Sequence, residues 1–260
     1  MGGAGERARV TRGPIAWRWG EVDASPAGDD LCLAHRHADA QVWVRDGRLV
    51  RGAGYGEADR AVRRDLARTG AIVRLRQRGR YLIHASGAVD PRGRAWLLSG
   101  DSGCGKSTLA YALARAGWSI LGDDGVLIEI TGSGVFAHGW RDPLAVSRTL
   151  ASEFPELSAH PERTADPRRR VPIDVSLARR ARVAALVFVR RADQHTLEPL
   201  TPVVALVALV RQSPWVILDD PYARAHLDAL RSAAALPSFS LTHTPAELHT
   251  MPRVLTEALP

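Results

Sequence analysis

The sequence predicts a mixed α/β protein with a small N-terminal α/β module, residues 1–78, and a larger domain, residues 79–260. Three observations lead to this prediction. The chain has 260 residues, enough to bury one large core with a small appendage. Hairpin signals and a helical pattern occupy the first part of the chain. A strand, a glycine-rich loop and a helix then follow one another near residue 100.

The N-terminal module is predicted to be a helix packed on a small sheet. Residues 1–30 are rich in Gly, Ala, Arg and Pro, which favours low order or a single strand. Asp46-Gly47 is a dipeptide favoured in tight turns, and it separates two apolar runs, so we expect a hairpin. From Glu57 to Gln77 apolar residues recur with helical spacing, apart from a break at Thr69-Gly70.

Composition excludes several classes of protein. Hydrophobic residues make up 45% of the chain and charged residues 24%, which are ordinary globular proportions. The longest apolar run, Val203–Val210, is far shorter than a membrane span, so we expect no membrane partner. The first residues contain no apolar signal segment, and two cysteines, Cys32 and Cys104, cannot form a disulfide framework. We therefore expect a cytoplasmic protein.

Almost all of the basic residues are arginines rather than lysines. Lysine and arginine total 35 against 28 acidic residues, for a net charge of +7, but Lys106 is the single lysine of the chain. A compact, flexible ammonium is therefore kept at one position, which indicates a specific chemical task there. The arginines are dispersed and lack interleaved aromatic runs, so we expect no nucleic-acid partner.

A phosphate-binding motif occupies the centre of the sequence. Residues Gly100–Ser107 fit the pattern G-x-x-x-x-G-K-[ST], and they lie between the strand-like Ala95–Leu98 and the helical Thr108–Arg115. In such a loop, glycines allow backbone N–H groups to point inward, and the helix start adds its positive dipole end. The alternative is a glycine-rich turn that matches by coincidence, and the strand-to-helix context argues against it.

The motif predicts ATP as the nucleotide and Mg²⁺ as its metal ion. Lys106 is expected to reach the β and γ phosphates, and the Ser107 hydroxyl to ligate Mg²⁺. The residues predicted to contact the nucleotide are Gly100, Asp101, Ser102, Gly103, Cys104, Gly105, Lys106, Ser107 and Thr108.

Two adjacent carboxylates follow the motif. Trp118–Gly122 reads as a short apolar strand, and Asp123 and Asp124 come directly after it. Neighbouring carboxylates repel each other unless a cation or a proton relieves them. We expect one to serve Mg²⁺ and the other to accept the proton of an attacking hydroxyl, the alternative being a solvated turn.

Missing motifs narrow the class of P-loop protein. With a single lysine there is no Asn-Lys-x-Asp segment of the kind that reads guanine, and no strand lysine of a protein kinase. No Leu-Ser-Gly-Gly-Gln segment follows the loop either. A conventional small GTPase, a protein kinase and an ABC-type ATPase are therefore excluded.

Three segments resemble HPr kinase/phosphorylase and its related kinases, which share a fold with phosphoenolpyruvate carboxykinase. The segments are Leu82–Val89, Gly93–Ser107 and Gly117–Asp124. The resemblance implies a P-loop domain of that type. It also implies that Asp123 is the base that activates a serine hydroxyl, that His84 supports Asp123, and that Asp124 lies on the metal side with Ser107.

The acceptor is expected to differ from HPr. The Leu-Glu-Ile-Arg-Gly segment of the family is absent, and the corresponding region, Gly139–Arg148, offers nothing similar. We expect a peptide, a protein or a small hydroxyl compound. Arg141 or Arg148 is a candidate phosphate contact, the alternative for each being a solvated arginine or a surface ion pair. The alternative function is a nucleotide-binding regulator or scaffold with little or no kinase activity. A homo-oligomer is one of the assemblies that the sequence allows.

The last third of the chain is predicted in outline. Ala159–Arg170 reads as a long mobile loop, either a basic lid over the substrate or a solvated charge run. A core strand is expected at Ala184–Val189, helices at Pro202–Arg211 and Tyr222–Ala235, and a final strand at Ser238–Leu241. Asp219 and Asp220 repeat the acid pair but precede Pro221, so they indicate a helix start.

Overall fold

The computed structural model describes residues 15, 17–140, 144–147, 153–159, 168–170 and 176–259, and confirms the mixed α/β class. Within these residues no helix is both long enough and apolar enough to cross a membrane. The chain divides into two compact units. The first is Met1–Arg78 with Leu218–Tyr222, and the second is Gly79–Ile217 with Ala223–Pro260.

The first unit is an antiparallel five-stranded meander with one helix. Its elements are β1 (Trp17–Trp19), β2 (Val22–Ala27), β3 (Asp30–His35), β4 (Gln41–Arg45), β5 (Arg48–Ala53) and α1 (Arg60–Arg76). The hairpin at Asp46-Gly47 is confirmed, and both residues have the positive φ that a tight primed turn requires.

Two expectations for this unit were wrong. Residues 17–27 form two paired strands rather than one, because β1 and β2 pair with each other and β2 pairs onward with β3. The expected break at Thr69-Gly70 does not occur, since α1 runs through both residues, which are buried. Burial against the sheet outweighs the low intrinsic helix propensity of glycine.

A buried ion pair holds Leu218–Tyr222 in the first unit. The Arg76 side chain is 1% exposed, and its guanidinium donates to the Asp220 carboxylate and to the Leu218 carbonyl. Asp220 also accepts from the Tyr222 backbone N–H at 3.0 Å, immediately before helix α4 (Ala223–Ala234). The predicted helix-start role of Asp220 is thus accompanied by a second role as the partner of Arg76.

Replacing Asp220 with alanine is expected to destabilise the protein by about 3 kcal/mol, because it leaves the Arg76 guanidinium buried without its carboxylate. Urea unfolding followed by fluorescence measures this loss. The control is Asp228→Ala, which removes two exposed helical ion pairs and should change the free energy of unfolding by less than about 0.5 kcal/mol. Equal effects of the two variants would contradict the importance of the buried pair.

The second unit is built on a nine-stranded sheet covered on both faces by helices. The strands, apart from the separate β12–β13 pair, follow the order β6-β10-β11-β14-β8-β7-β9, and β16 joins β15 to β14. Their ranges are β6 (Arg80–Ile83), β7 (Ala85–Val89), β8 (Arg94–Ser99), β9 (Ser119–Gly122), β10 (Val126–Thr131), β11 (Gly134–Gly139), β12 (Ala145–Ser147), β13 (Arg168–Arg170), β14 (Arg180–Arg191), β15 (Thr196–Pro199) and β16 (Ser238–His243). The helices besides α4 are α2 (Lys106–Arg115), α3 (Pro202–Arg211) and α5 (Met251–Glu257).

Side-chain alternation along the central strands divides the core in two. Leu98 and Val187 face α2 and α5, whereas Leu97, Leu186 and Phe188 face α3 and α4. Strand β14 is parallel to both β8 and β16, which places the carboxyl ends of these three strands at one edge of the sheet.

The predicted elements of this unit are confirmed in most places. Helices α3 and α4 and strands β14 and β16 lie where the sequence predicts them. The segment Tyr81–Val89 contains two strands separated at His84, because β6 pairs with β10 while β7 pairs with β8 and β9.

The predicted mobile loop Ala159–Arg170 is corrected at its end. Arg168–Arg170 form β13, which pairs with β12 through backbone hydrogen bonds, so this basic run is a strand rather than a loop. Residues 160–167 lie outside the described part of the chain, as do Arg141 and Arg148.

Candidate active site

The predicted site residues gather at one edge of the sheet because of strand direction. Strand β7 is antiparallel to both of its neighbours, so β8 and β9 run in the same direction. The loop after β8 and the acid pair after β9 therefore emerge at the same edge, where His84 precedes the start of β7. Carboxyl ends of parallel strands are where α/β folds place their ligands.

The glycine loop has the backbone form that its sequence predicts. Gly100, Gly103 and Gly105 all have positive φ values, of 143°, 81° and 106°. Gly105 is the N-cap of α2 and provides no side-chain cap, so the first turn of the helix presents its N–H groups and dipole without a capping side chain. This arrangement suits an anion.

Gly100→Ala is expected to reduce nucleotide affinity by more than about tenfold, because a methyl group there would lie 2.6 Å from the Val189 carbonyl oxygen, on the neighbouring strand. Fluorescent ATP-analogue titration measures the change. The control is Gly93→Ala in the turn between β7 and β8, where φ is also positive but nothing lies within 4 Å. That control should lose about 1 kcal/mol of stability and keep its nucleotide affinity.

Lys106 is buried within the loop. Its Nζ donates to the carbonyl oxygens of Gly100 at 2.7 Å and Asp101 at 2.9 Å, and lies 4.0 Å from Cys104 Sγ. The ammonium thus ties the start of the loop to the start of α2.

Asp123 is joined to the loop by a serine hydroxyl. Its side chain is almost fully buried, and its Oδ1 accepts from Ser107 Oγ at 2.9 Å and from Ser86 Oγ through a short hydrogen bond. Ser86 is a site residue that the sequence analysis missed. Its position on β7, beside the end of β9, places its hydroxyl next to the carboxylate.

His84 contacts Asp124, the neighbour of the acid that the family resemblance pairs it with. His84 Nδ1 lies 3.3 Å from the Asp124 carbonyl oxygen and 3.7 Å from Asp124 Oδ1. Asp124 has a φ of 62°, uncommon for a residue with a side chain, and its carboxylate is 58% exposed. The two carboxylates therefore differ: Asp123 is buried and held by serines, and Asp124 is open to solvent beside an imidazole.

The oxygen donors fit a magnesium nucleotide. Mg²⁺ prefers oxygen ligands and is bound through one or two carboxylates together with substrate phosphates. The Ser107 hydroxyl and the Asp123 carboxylate are such donors, and they lie in hydrogen-bond contact at the helix start. Across the described residues no group of three or more His, Cys, Asp or Glu forms a complete metal cage. The set suits a metal ion that arrives with its nucleotide.

His243 lies directly under the loop and was also missed from the sequence. A methyl group added to Gly105 would be 2.9 Å from His243 Nε2, and this buried nitrogen has no hydrogen-bond partner in the described residues. Burial lowers the pKa of His243 below its ordinary value of 6.5, the Thr244 carbonyl opposes the shift, and Arg191 adds to it. The ring is therefore neutral at pH 7.

Acidification is expected to destabilise the protein through His243. Because the folded-state pKa is below the unfolded value, stability is complete above about pH 6.5 and falls as the unfolded chain takes up a proton at lower pH. The loss is at most about 1.4 kcal/mol per pH unit. Unfolding free energies measured between pH 7.5 and 5.5 should fall less in His243→Gln than in the wild type. A parallel fall in both proteins would contradict this prediction.

Comparisons with known proteins give structural matches, and the one described below is weak. No family model matches the chain, and no curated protein matches it. Among solved structures, the Hpr(Ser) kinase/phosphatase from Coxiella burnetii is similar over 68% of this chain and 92% of its own, with 11% sequence identity and a TM-score of 0.34. Values this low do not establish a common activity.

Proposed function

We propose that the protein is an ATP-dependent kinase that phosphorylates a serine-like hydroxyl on a peptide, a protein or a small molecule other than HPr. The observation that carries the proposal is the 2.9 Å hydrogen bond between Ser107 Oγ and Asp123 Oδ1. It joins the last residue of the glycine loop to the buried carboxylate after β9. An NTP-binding site requires its hydroxyl and its metal-side acid to lie close together in this way.

The triphosphate would be held by the loop backbone and by Lys106. Positive φ values at three glycines turn the loop inward, and the uncapped start of α2 supplies a favourable dipole. The Lys106 ammonium would exchange its carbonyl partners for β and γ phosphate oxygens. Mg²⁺, held on Ser107 and Asp123, would neutralise charge that develops on the phosphates during transfer.

The transfer itself needs a base near the acceptor. The acceptor hydroxyl oxygen would form a bond to the γ-phosphorus as the bond to the β-γ bridging oxygen breaks, which releases ADP. We assign the hydroxyl proton to the Asp124 carboxylate, because it is accessible and lies beside His84. This assignment reverses the roles that the family resemblance implies for the two acids.

His84 is positioned by contacts at both ends of its backbone. Its N–H donates to the Gln212 carbonyl at 2.8 Å, and its carbonyl accepts from Ser99 Oγ at 3.3 Å. These contacts hold the imidazole beside Asp124. A nucleotide-binding scaffold would need no such pair, which favours a kinase over the regulatory alternative.

The test combines nucleotide binding with phosphoryl transfer. We expect purified protein to bind a fluorescent ATP analogue in a magnesium-dependent manner, and to transfer labelled γ-phosphate to serine in a library of short peptides. HPr with its regulatory serine serves as a comparison acceptor and should remain unlabelled. Absence of magnesium-dependent ATP binding would refute the proposal, while tight binding with no ATP turnover would support the scaffold alternative. Efficient transfer to HPr would contradict the expected acceptor.

A further inference from the structure

A cavity of about 600 Å³ adjoins the first half of the glycine loop. Gly100, Asp101 and Cys104 form one side of it, and the end of β14 and helix α3 form the others. It lies wholly within the second unit. Its size suits a small molecule or a few residues of a peptide.

One wall of the cavity is an exposed apolar face of α3. Val203, Val204 and Val207 line the cavity and are 72%, 50% and 51% exposed. The opposite face of the helix is buried through Ala205 and Leu209, so the exposed valines are not needed for packing α3 on the sheet. These three exposed valines form an apolar surface, and a ligand that covers it would gain binding free energy from its burial.

The remaining wall carries positive charge. Arg190, Arg191 and Arg211 all line the cavity, and within the described residues none of them has a carboxylate within 4 Å. Arg190 donates to Ser240 Oγ at 3.0 Å, which fixes its guanidinium at the wall. Asp101 is an acidic lining residue, and its Oδ1 accepts from Gln212 Nε2 at 3.2 Å. Apolar surface beside unpaired guanidinium groups is complementary to an apolar molecule that bears an anion.

The cavity is connected to the acid-base side of the site through Gln212. The Gln212 side chain contacts Asp101, and its backbone carbonyl accepts from the His84 N–H at 2.8 Å. His84 in turn contacts Asp124. His84 and Asp124 do not line the cavity themselves, but Gln212 does, so a molecule that extends from the cavity past Gln212 would bring its hydroxyl towards the proposed base.

We infer that this cavity binds the phosphate acceptor, and that the acceptor combines an apolar group, a carboxylate and its hydroxyl. This inference rests on the proposed kinase function. The apolar group covers the valines of α3, and the carboxylate pairs with one or more of the three arginines. These two contacts define the substrate class, and they leave the hydroxyl as the portion directed towards Asp124.

The inference is tested with two fluorescent probes that differ only in charge. Dansyl-L-leucine has an apolar body and a carboxylate, and dansyl-L-leucinamide has the same body without the charge. We expect wild-type protein, titrated by fluorescence anisotropy, to bind the acid at least about tenfold more tightly than the amide. Saturating magnesium and a non-hydrolysable ATP analogue should not displace the acid.

Variants separate the two contacts. Arg190→Gln, Arg191→Gln and Arg211→Gln combined should remove the preference for the acid, and Val207→Asp should weaken both probes at least about tenfold. Matched controls are Arg224→Gln on α4 and Val50→Asp on β5, since both side chains are exposed and neither lines the cavity. Those controls should bind both probes as the wild type does, and thermal unfolding should show that every variant is folded.

The outcomes distinguish failure of the inference from failure of the kinase proposal. Binding of the ATP analogue without binding of dansyl-L-leucine would overturn the acceptor class alone. Selective binding of the acid without any ATP binding would retain the cavity's ligand class but overturn its role in a kinase. Displacement of the acid by the ATP analogue would show that the cavity holds the nucleoside. If Val207→Asp instead converts an oligomer to a monomer in sedimentation velocity and neither probe binds, the valine face contacts a second copy, which also overturns the inference.

Discussion

Lys106→Ala is expected to abolish phosphoryl transfer and to weaken ATP binding by at least about a hundredfold. The ammonium lies within the loop, bonded to the Gly100 and Asp101 carbonyl oxygens, and is the group that would contact the β and γ phosphates. Removing it takes away a charge-assisted contact that strengthens as charge develops in transfer. Labelled-phosphate transfer and titration with a fluorescent ATP analogue measure the two effects.

The structure adds a control to this experiment. Because Lys106 is buried and bonds two loop carbonyls, its loss can also loosen the loop. Lys106→Arg keeps the charge but places a planar guanidinium where the site holds an ammonium, and we expect it to fail nearly as badly. Thermal unfolding of both variants separates loss of binding from loss of fold. Turnover close to the wild-type rate in either folded variant would show that the loop does not bind phosphate.

The two carboxylates are expected to respond differently to conversion into amides. Asp124→Asn should reduce turnover by about 10²–10⁴-fold with nucleotide affinity nearly kept, because a base acts in the transition state. Asp123→Asn should chiefly weaken magnesium-dependent nucleotide binding, since Asp123 is bonded to Ser107. Steady-state kinetics together with ATP titrations at several magnesium concentrations measure this pattern.

The acid-pair experiment also decides between the structure and the family resemblance. The resemblance assigns the base to Asp123, whereas the contacts of His84 favour Asp124. Loss of turnover with full nucleotide affinity in Asp123→Asn, and loss of binding in Asp124→Asn, would restore the role of Asp123. His84→Gln should show a weaker form of the defect found in the Asn variant of whichever acid it supports. The pH-rate profile of His84→Gln should be shifted relative to the wild type.

Local sequence signals predicted the loop and the acid pair. They did not predict that the two acids have different surroundings, one buried beside serines and the other exposed beside His84. The order of strand, loop, helix, strand and acids is a contiguous pattern, and strand direction alone then brings Asp123 to Ser107. The pairing of His84 depends on a register shift between Gly87 and Ala88 and on the positive φ of Asp124. A register shift changes which side chains share a face, and no short pattern in this chain signals it.

Other misses have different physical reasons. The β10–β11 hairpin had a detectable signal, since Gly132-Ser133 forms its turn between two strands that contain apolar residues. His243 and Ser86 gave none, because each is a single polar residue that becomes a site residue only when β16 and β7 are placed in the sheet. The cavity under α3 likewise depends on which face of the apolar run Pro202–Arg211 packs on the sheet.

The pairing of Arg76 with Asp220 has a consequence for biosynthesis. The two residues are 144 positions apart. When the ribosome has released the first 78 residues, Asp220 has not yet been synthesised, although the Arg76 side chain is fully buried in the folded protein. Closing so long a loop is entropically unfavourable and slow to arrange. The N-terminal meander is therefore completed late, after most of the chain has been synthesised. A recombinant fragment that stops at Arg78 should be poorly folded unless Leu218–Tyr222 is supplied to it.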